Sequence, residues 1–145
     1  EILERDYGVA ADVWSVTSYK ALYRDALITD RRNRLNPGAE PERPYVYRAL
    51  ERTKGPLVAA SDYMKVLPDV LARYLPRPMV SLGTDGFGRS EARAELRDFF
   101  EVDARHVVLA TLHALAQEGQ LEASAVEKAR DALGISPDKA DPYHD

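Results

Sequence analysis

The spacing of hydrophobic residues along the 145-residue chain predicts strands that alternate with helices. Apolar and polar residues alternate over residues 9–16, which predicts a strand, and short apolar runs at 56–60 and 79–83 predict two more. Apolar positions three and four residues apart predict helices over residues 1–7, 19–29, 44–50, 63–75, 91–100, 103–118 and 124–133. Strands and helices that alternate in this way define an α/β layered domain, with right-handed crossovers between its strands.

Residues with a strong preference for helix ends indicate where these helices begin. Ser90 and Asp103 are expected to cap the helices that follow them, and Ser124 with Glu127 forms the pattern of a capping box. Pro68 lies inside the fourth predicted helix and is expected to kink or divide it, because proline lacks an amide hydrogen. Capping therefore predicts helix boundaries that periodicity alone leaves vague.

Residues 30–44 are rich in arginine and proline, which predicts an irregular surface excursion. Its first basic residues are Arg31, Arg32 and Arg34. Guanidinium groups have the chemistry to grip phosphates, but in an acidic domain these three are expected instead to form salt bridges across an interface.

The two ends of the chain differ from its middle. Residues 1–7 have the pattern of the last turns of a helix that ends at Gly8, and no starting signal precedes them. We therefore expect the chain to be part of a longer polypeptide. Residues 1–135 are predicted to form the folded domain, and residues 136–145, with few apolar side chains, a loosely ordered tail.

Composition narrows the possible functions. The chain has 24 acidic and 20 basic residues and a net charge of −4, so a dedicated nucleic-acid interface is not expected. It has no cysteine, which excludes disulfides, thiolate metal sites and a cysteine nucleophile, and which fits a cytoplasmic protein. No apolar run in the sequence is long enough to predict a membrane span.

The glycine-rich stretch between the third predicted strand and the next helix is the main candidate site. It comprises Gly83, Thr84, Asp85, Gly86, Phe87, Gly88, Arg89 and Ser90, at the strand end where α/β proteins commonly bind ligands. Two interpretations stay open from the residues alone: a loop that binds a small anion, and a rigid turn that packs against a neighbouring domain. The second is favoured, because the glycine spacing matches neither the Walker A pattern nor the dinucleotide fingerprint. Phe87, set between two glycines beside an acid and an arginine, is typical of an interface anchor.

Residues that could carry chemistry on their own are scattered. His106 and His113 are seven residues apart on one helix, too far for one metal ion, and are expected to be surface or half-buried residues. The carboxylates Asp62, Glu91 and Asp103 stand at predicted helix starts, where capping explains them. No catalytic, cofactor-binding or metal-binding residue is therefore predicted, which favours an interface or binding domain over an enzyme.

Four stretches, taken together, resemble a known family. They are Asp6–Leu22 (DYGVAADVWSVTSYKAL), Ala59–Lys65 (AASDYMK), Leu82–Arg93 (LGTDGFGRSEAR) and Phe99–Gly119 (FFEVDARHVVLATLHALAQEG). In this order they resemble the C-terminal domain of the homodimeric-type pyruvate dehydrogenase decarboxylating component, and only the tail is left unmatched. The resemblance implies a transketolase-type C-terminal fold, a mostly parallel sheet flanked by helices, whose first strand lies before Glu1.

The resemblance also implies a function for the complete protein. Members of this family are oxidoreductases that decarboxylate pyruvate with thiamine diphosphate and magnesium, then pass the acetyl group to a lipoyl group on the dihydrolipoyl acetyltransferase component, which links glycolysis to the citrate cycle. Their cofactor motif, Gly-Asp-Gly followed by paired asparagines, is absent here, so this chain alone is expected to be inactive and to bind no cofactor. Its expected partners are its own upstream catalytic domains, the second subunit of a homodimer and the acetyltransferase. The alternatives are the equivalent domain of a related α-ketoacid dehydrogenase or of transketolase, and a stand-alone anion-binding module.

Overall fold

Two short strands and seven α-helices make up the regular structure of residues 1–143, which the computed structural model describes. In chain order they are α1 (Ile2–Tyr7), α2 (Tyr19–Leu35), α3 (Tyr45–Leu50), β1 (Leu57–Ala60), α4 (Val66–Asp69), β2 (Met79–Leu82), α5 (Arg93–Phe99), α6 (Ala104–Gln117) and α7 (Ala123–Ala132), with a 3₁₀ turn at Ala72–Tyr74 between α4 and β2. None of these helices is long and apolar enough to cross a membrane.

The two strands form a parallel pair. Leu57 lies opposite Met79 and Ala60 opposite Leu82, and the Ser61 amide extends the ladder by donating to the Leu82 carbonyl at 3.0 Å. The connection between the strands runs through α4, and α6 packs against both of them. The strands are half-buried rather than buried on both faces, but the predicted α/β class with helices around a parallel sheet is confirmed.

Two hydrophobic clusters form the core of the described residues. The first joins α2, α3 and the segment after α4, and its buried members are Ala26, Val46, Leu71 and Tyr74. The second joins α6 and α7, and its buried members are Val108, Leu112, Leu115 and Ala129. Side chains of α1 pack against the second cluster, so the first residues of the chain are held by apolar contacts with α6 and α7.

The strand predicted over residues 9–16 is wrong for the structure described here. These residues form no helix or strand, and Val13 and Trp14 are 95 % and 55 % exposed. A strand needs a neighbouring backbone to accept and donate its hydrogen bonds, and the described residues provide none to this segment. The alternating pattern therefore lacks a partner strand, and the expected first strand before Glu1 stays a prediction.

The surface excursion begins later than predicted, because α2 continues through Arg31, Arg32 and Arg34 to Leu35. Arginine is a good helix former, and the first strong helix breaker after Tyr19 is Pro37. Two of the arginines pair locally with carboxylates, Arg32 with Glu42 at 3.5 Å and Arg34 with Asp30 at 3.6 Å. These two ion pairs lie inside the domain, and the use of the three arginines across an interface stays a prediction.

The helix predicted over residues 63–75 is reduced to the single turn α4 and the 3₁₀ turn after it. Pro68 stands at the third position of α4 with its ring fully buried, where its missing amide hydrogen costs no helical bond. Residues 63–65 are not helical, because the Tyr63 carbonyl accepts a hydrogen bond from the Thr84 amide at 2.9 Å. A contact from a distant loop thus overrides the local pattern.

Of the predicted helix caps, Asp103 is confirmed and two serines are wrong. The Asp103 carboxylate accepts a hydrogen bond from the His106 amide at 3.0 Å, at the start of α6. Helix α5 begins at Arg93 after Ala92, so Ser90 does not cap it, and Ser124 lies inside α7, which begins one residue earlier. Neither α5 nor α7 has a side-chain hydrogen bond at its start.

Candidate functional site

The loops that follow the two strands are joined into one surface. Because β1 and β2 are parallel, their carboxyl ends lie side by side, and residues 61–65 meet the predicted loop, residues 83–90. The Thr84 amide donates to the Tyr63 carbonyl at 2.9 Å, and the Thr84 hydroxyl donates to the Asp62 carbonyl at 3.1 Å. We call residues 61–66 and 83–90 together the strand-end surface.

The Asp85 side chain connects the two loops of the strand-end surface. One oxygen of its carboxylate accepts a hydrogen bond from the Lys65 amide at 3.1 Å, and the other lies 3.5 Å from the Lys65 ammonium. The Asp85 side chain is only 19 % exposed. Its role in the described structure is therefore to hold the two loops together.

Two of the three glycines in the loop stand where a larger residue does not fit. A Cβ atom on Gly83 would lie 2.5 Å from the Tyr63 carbonyl oxygen and 2.8 Å from the Lys65 nitrogen. Gly86 has a φ of +94°, in the left-handed region that favours glycine, and a Cβ there would lie 2.7 Å from the Pro142 carbonyl oxygen. Gly88 has open space around it and no positive φ. The backbone therefore requires glycine at Gly86 but not at Gly88.

Large apolar side chains project from the strand-end surface into solvent. Phe87 is 88 % exposed, and Tyr63, Met64 and Val66 are each about half exposed. The sequence pattern identified Phe87 but placed the other three in the helix predicted over residues 63–75. No local signal distinguishes them, because the hydrogen bond from the Thr84 amide to the Tyr63 carbonyl joins residues that are distant in the sequence.

A cleft of about 300 Å³ opens between the loop and α5. Its lining residues are Asp62, Thr84, Phe87, Gly88, Arg89, Arg93, Leu96, Arg97, Phe100 and Val102. Arg97 forms an ion pair with Asp62 at 3.2 Å, and the Arg89 guanidinium lies 4.1 Å from the centre of the Phe99 ring. Positively charged groups therefore surround an apolar floor beside Phe87.

A second group of charged residues connects α5, the start of α6 and the tail. Asp98, Asp103 and His106 place possible ligand atoms within 4.8 Å of one another. The Lys139 ammonium lies 3.3 Å from the Asp98 carboxylate and 3.5 Å from His106 Nε2, and Arg105 contacts both carboxylates. Two cationic side chains therefore already neutralise this group, which makes it an ion-pair cluster rather than a site that fits a metal ion.

His106 is more buried than predicted, whereas His113 is exposed as predicted for a surface residue. The His106 side chain is 5 % exposed, and its Nδ1 lies 2.7 Å from the Asp103 carboxylate. The spacing of three residues between a cap aspartate and a histidine was the available signal, since residues i and i+3 meet on a helix. His144, the remaining histidine, lies outside the described residues.

The pKa of the Asp103 carboxyl reflects these contacts. Burial alone raises the pKa of this group, but hydrogen bonds from the His106 amide, the His106 ring and Arg105 outweigh burial and lower the pKa from 3.8 to about 2. Asp103 is therefore a carboxylate that the folded protein holds in its charged form.

Comparison with known proteins identifies the class of domain that this strand-end surface belongs to. The family model of the transketolase-like TK C-terminal domain matches residues 1–103, and the chain belongs to that family. Among its relatives, a protein of Pseudomonas aeruginosa is 46 % identical over 98 % of this chain, and one of Escherichia coli strain K12 is 43 % identical over 98 %. A relative from Cupriavidus necator is 39 % identical, again over 98 % of the chain. All three carry the name pyruvate dehydrogenase E1 component, which confirms the resemblance stated from the sequence.

The chain spans 16 % of the length of each of these three relatives. Similarity over the chain therefore concerns one domain of a much longer protein. The tail is included in these matches, and its Lys139 contact with α5 ties it to the domain. How loosely residues 136–145 are held stays a prediction, and residues 144–145 lie outside the described part.

Proposed function

We propose that this chain is the non-catalytic C-terminal domain of a homodimeric pyruvate dehydrogenase decarboxylating component. The complete protein would be an oxidoreductase that decarboxylates pyruvate and passes the acetyl group to a lipoyl group on the acetyltransferase component. The relatives with 39–46 % identity over nearly the whole chain, all with one name, support this proposal. The cytoplasmic location predicted from the sequence forms part of the same proposal.

The single observation that carries the domain's role is the apolar character of the strand-end surface. Phe87, Tyr63, Met64 and Val66 expose large apolar side chains on two loops that hydrogen bonds hold together. Adjacent exposed apolar side chains mark interaction sites more often than scattered ones do. We assign this surface to packing against the upstream catalytic domains and the second subunit.

Phe87→Ala is expected to leave the 145-residue chain folded and to weaken the complete protein's assembly. An 88 % exposed ring contributes little to the domain's own core. The free energy of unfolding of the chain, measured by thermal unfolding, should therefore change by less than about 0.5 kcal/mol. In the complete protein, loss of an aromatic anchor should cost about 2 kcal/mol at the interface. The dissociation constant of the dimer should therefore rise roughly thirtyfold, and activity should fall.

Leu35→Ala is the matched control for that experiment, because Leu35 is also exposed, at 58 %, but lies at the end of α2. It should change neither assembly nor activity. If Phe87→Ala unfolds the isolated chain while the complete dimer is unaffected, Phe87 is a core residue and the assigned interface is wrong.

Thiamine diphosphate and magnesium belong to the proposed complete enzyme, and this chain's residues do not fit them. The group of carboxylates and imidazole that has the spacing of a cation site already contacts Lys139 and Arg105. When bound elsewhere in the complete protein, the cofactor supplies the carbanion chemistry of decarboxylation.

The 145-residue chain alone is therefore expected to bind no thiamine diphosphate. Calorimetric titration of the chain with thiamine diphosphate and magnesium should give only heats of dilution. Titration of the complete protein under the same conditions is the positive control. Saturable binding of one cofactor per chain in the micromolar range would contradict the proposal that the cofactor site lies outside this domain.

A further inference from the structure

Three arginines spaced four residues apart line one side of the cleft beside Phe87. Arg93 and Arg97 lie one turn apart on α5, and Arg89 precedes them in the loop. Of the three, Arg97 alone pairs with a carboxylate of the described residues, that of Asp62 at 3.2 Å. Within residues 1–143, the Arg89 side chain lies over the Phe99 ring and makes no hydrogen bond or ion pair, and the Arg93 side chain makes neither.

The carboxylates of a neighbouring depression form no ion pair with these two guanidinium groups in the described residues. Glu91 and Glu95 line a neighbouring depression with Arg89, but within the described chain neither lies within 4 Å of an arginine nitrogen. The cleft lining contains three arginines and one carboxylate, in a chain whose net charge is −4. A positive cleft on an acidic domain favours a negatively charged occupant.

The apolar floor of the cleft means that a complementary ligand must also carry an apolar group. Leu96, Phe100 and Val102 line it, and Phe87 stands at its rim. Guanidinium groups recognise carboxylates through paired hydrogen bonds, and an apolar floor next to them suits an aliphatic or aromatic side chain. The complementary ligand is therefore a carboxylate immediately beside an apolar group.

The shape of the cleft favours a protein segment over a small molecule. Small-molecule sites bury most of their ligand, whereas this cleft is open and its 300 Å³ lies at the lower end of their size range. The exposed Phe87 lines it, and the exposed Tyr63 and Met64 lie on the segment that the Thr84 amide joins to the same loop. The relatives' remaining length, outside the 16 % that this chain spans, provides an ample source of such a segment.

We propose that the arginine cleft binds an acidic segment, an Asp or Glu beside an apolar residue, from the upstream part of its own polypeptide. This inference rests on the proposed function, since it names the chemistry of the partner at the strand-end surface. Arg93 and Arg89 receive the carboxylate, while Leu96 and Phe100 receive the neighbouring apolar side chain. Phe87 packs over the segment from the rim.

Photo-cross-linking in the complete protein tests this proposal. Benzoylphenylalanine at position 87, a close analogue of phenylalanine, should cross-link to one upstream peptide of the same polypeptide, identified by mass spectrometry, that contains Asp or Glu. Arg93→Glu should lower the yield of this cross-link at least tenfold, because it replaces attraction by repulsion. Arg93→Lys should retain most of the yield. Arg24→Glu, at an exposed position of α2, is the control for net charge and should retain all of it.

The outcomes separate the two proposals. If position 87 cross-links to an upstream peptide with equal yield in Arg93→Glu, the acidic-segment inference is overturned and the interface survives. If the peptide lacks acidic residues, or belongs to the acetyltransferase, the assigned occupant is wrong. If no cross-link to protein forms, the interface itself is overturned. Arg93→Glu should not unfold the chain, since Arg93 has no partner in its described part, and thermal unfolding checks this.

Discussion

Gly83→Ala is expected to lower the free energy of unfolding of the chain by about 2–3 kcal/mol. The added methyl group would lie 2.5 Å from the Tyr63 carbonyl oxygen and 2.8 Å from the Lys65 nitrogen, closer than real contacts allow. Both are backbone atoms, so neither can turn away as a flexible side chain would. The loops must separate, which weakens the hydrogen bonds from Thr84 to Tyr63 and from Lys65 to Asp85.

Thermal and urea unfolding of the 145-residue chain measure this effect. A loss of that size corresponds to a decrease in Tm of roughly 10 °C for a domain of this length. Gly88→Ala is the matched control in the same loop. Apart from the chain neighbours of Gly88, no described residue has an atom within 4 Å of the added methyl group, and the φ of Gly88 is not positive. The control should change stability by no more than about 0.5 kcal/mol. Equal unfolding curves for the two variants would contradict the close approach at Gly83.

The parts of the fold that sequence predicts correctly depend on local interactions. Residues 57–60 and 79–82 are short apolar runs with turn residues around them, and they form the two strands. Asp103 caps α6 through a bond that spans three residues. Such features are set by neighbours in the chain, so a pattern over a few residues is sufficient to predict them.

The parts of the fold that the sequence does not predict depend on contacts between residues far apart in the chain. Residues 9–16 have a strand pattern, but a pattern supplies no partner backbone. Residues 63–65 have helical spacing, yet the Thr84 amide, about twenty residues away, takes the Tyr63 carbonyl that a helix would use. The exposed Tyr63 and Met64 follow from that long-range bond, so the apolar half of the strand-end surface was not predictable from spacing.

The sequence predicts the position of the candidate loop but not the contacts that its side chains make. Glycines after a predicted strand identified residues 83–90 as the candidate loop, and Gly86 has a positive φ in the structure. Asp85 holds the two loops together by accepting a hydrogen bond from the Lys65 amide, and the two residues come close only when β1 and β2 pair. The spacing of Arg89, Arg93 and Arg97 indicates a binding site only once the structure shows that all three line the cleft beside Phe87.

Acid is expected to destabilise the domain through Asp103, within a defined range of pH. The pKa of this carboxyl is about 2 in the folded chain and 3.8 as its ordinary value, so the unfolded chain binds more protons between these limits. The stabilisation is complete above about pH 5 and is lost as the pH falls through 3.8 towards 2. The difference is worth about 2 kcal/mol, because each unit of pKa corresponds to about 1.4 kcal/mol.

Asp103→Asn separates the charge of this residue from its capping bond. Asparagine is a good helix cap, and its Oδ1 can still accept from the His106 amide and face the His106 ring. Its amide group, however, replaces the charged Oδ2 that pairs with Arg105. We expect the variant to be less stable by about 1–2 kcal/mol at neutral pH. Its free energy of unfolding should also fall less steeply than that of the wild type between pH 4 and pH 2, since residue 103 no longer titrates.

Asp12→Asn is the control for loss of one carboxylate, because the exposed Asp12 side chain makes no hydrogen bond or ion pair within the described residues. It should keep the pH dependence of the wild type. Urea unfolding at intervals from pH 7 to pH 2 provides the comparison. If Asp103→Asn and Asp12→Asn show the same slope below pH 4, the acid sensitivity arises from carboxylates elsewhere. A smaller slope in Asp103→Asn alone assigns it to the cap of α6, where one carboxylate contacts the His106 amide, the buried His106 ring and Arg105 together.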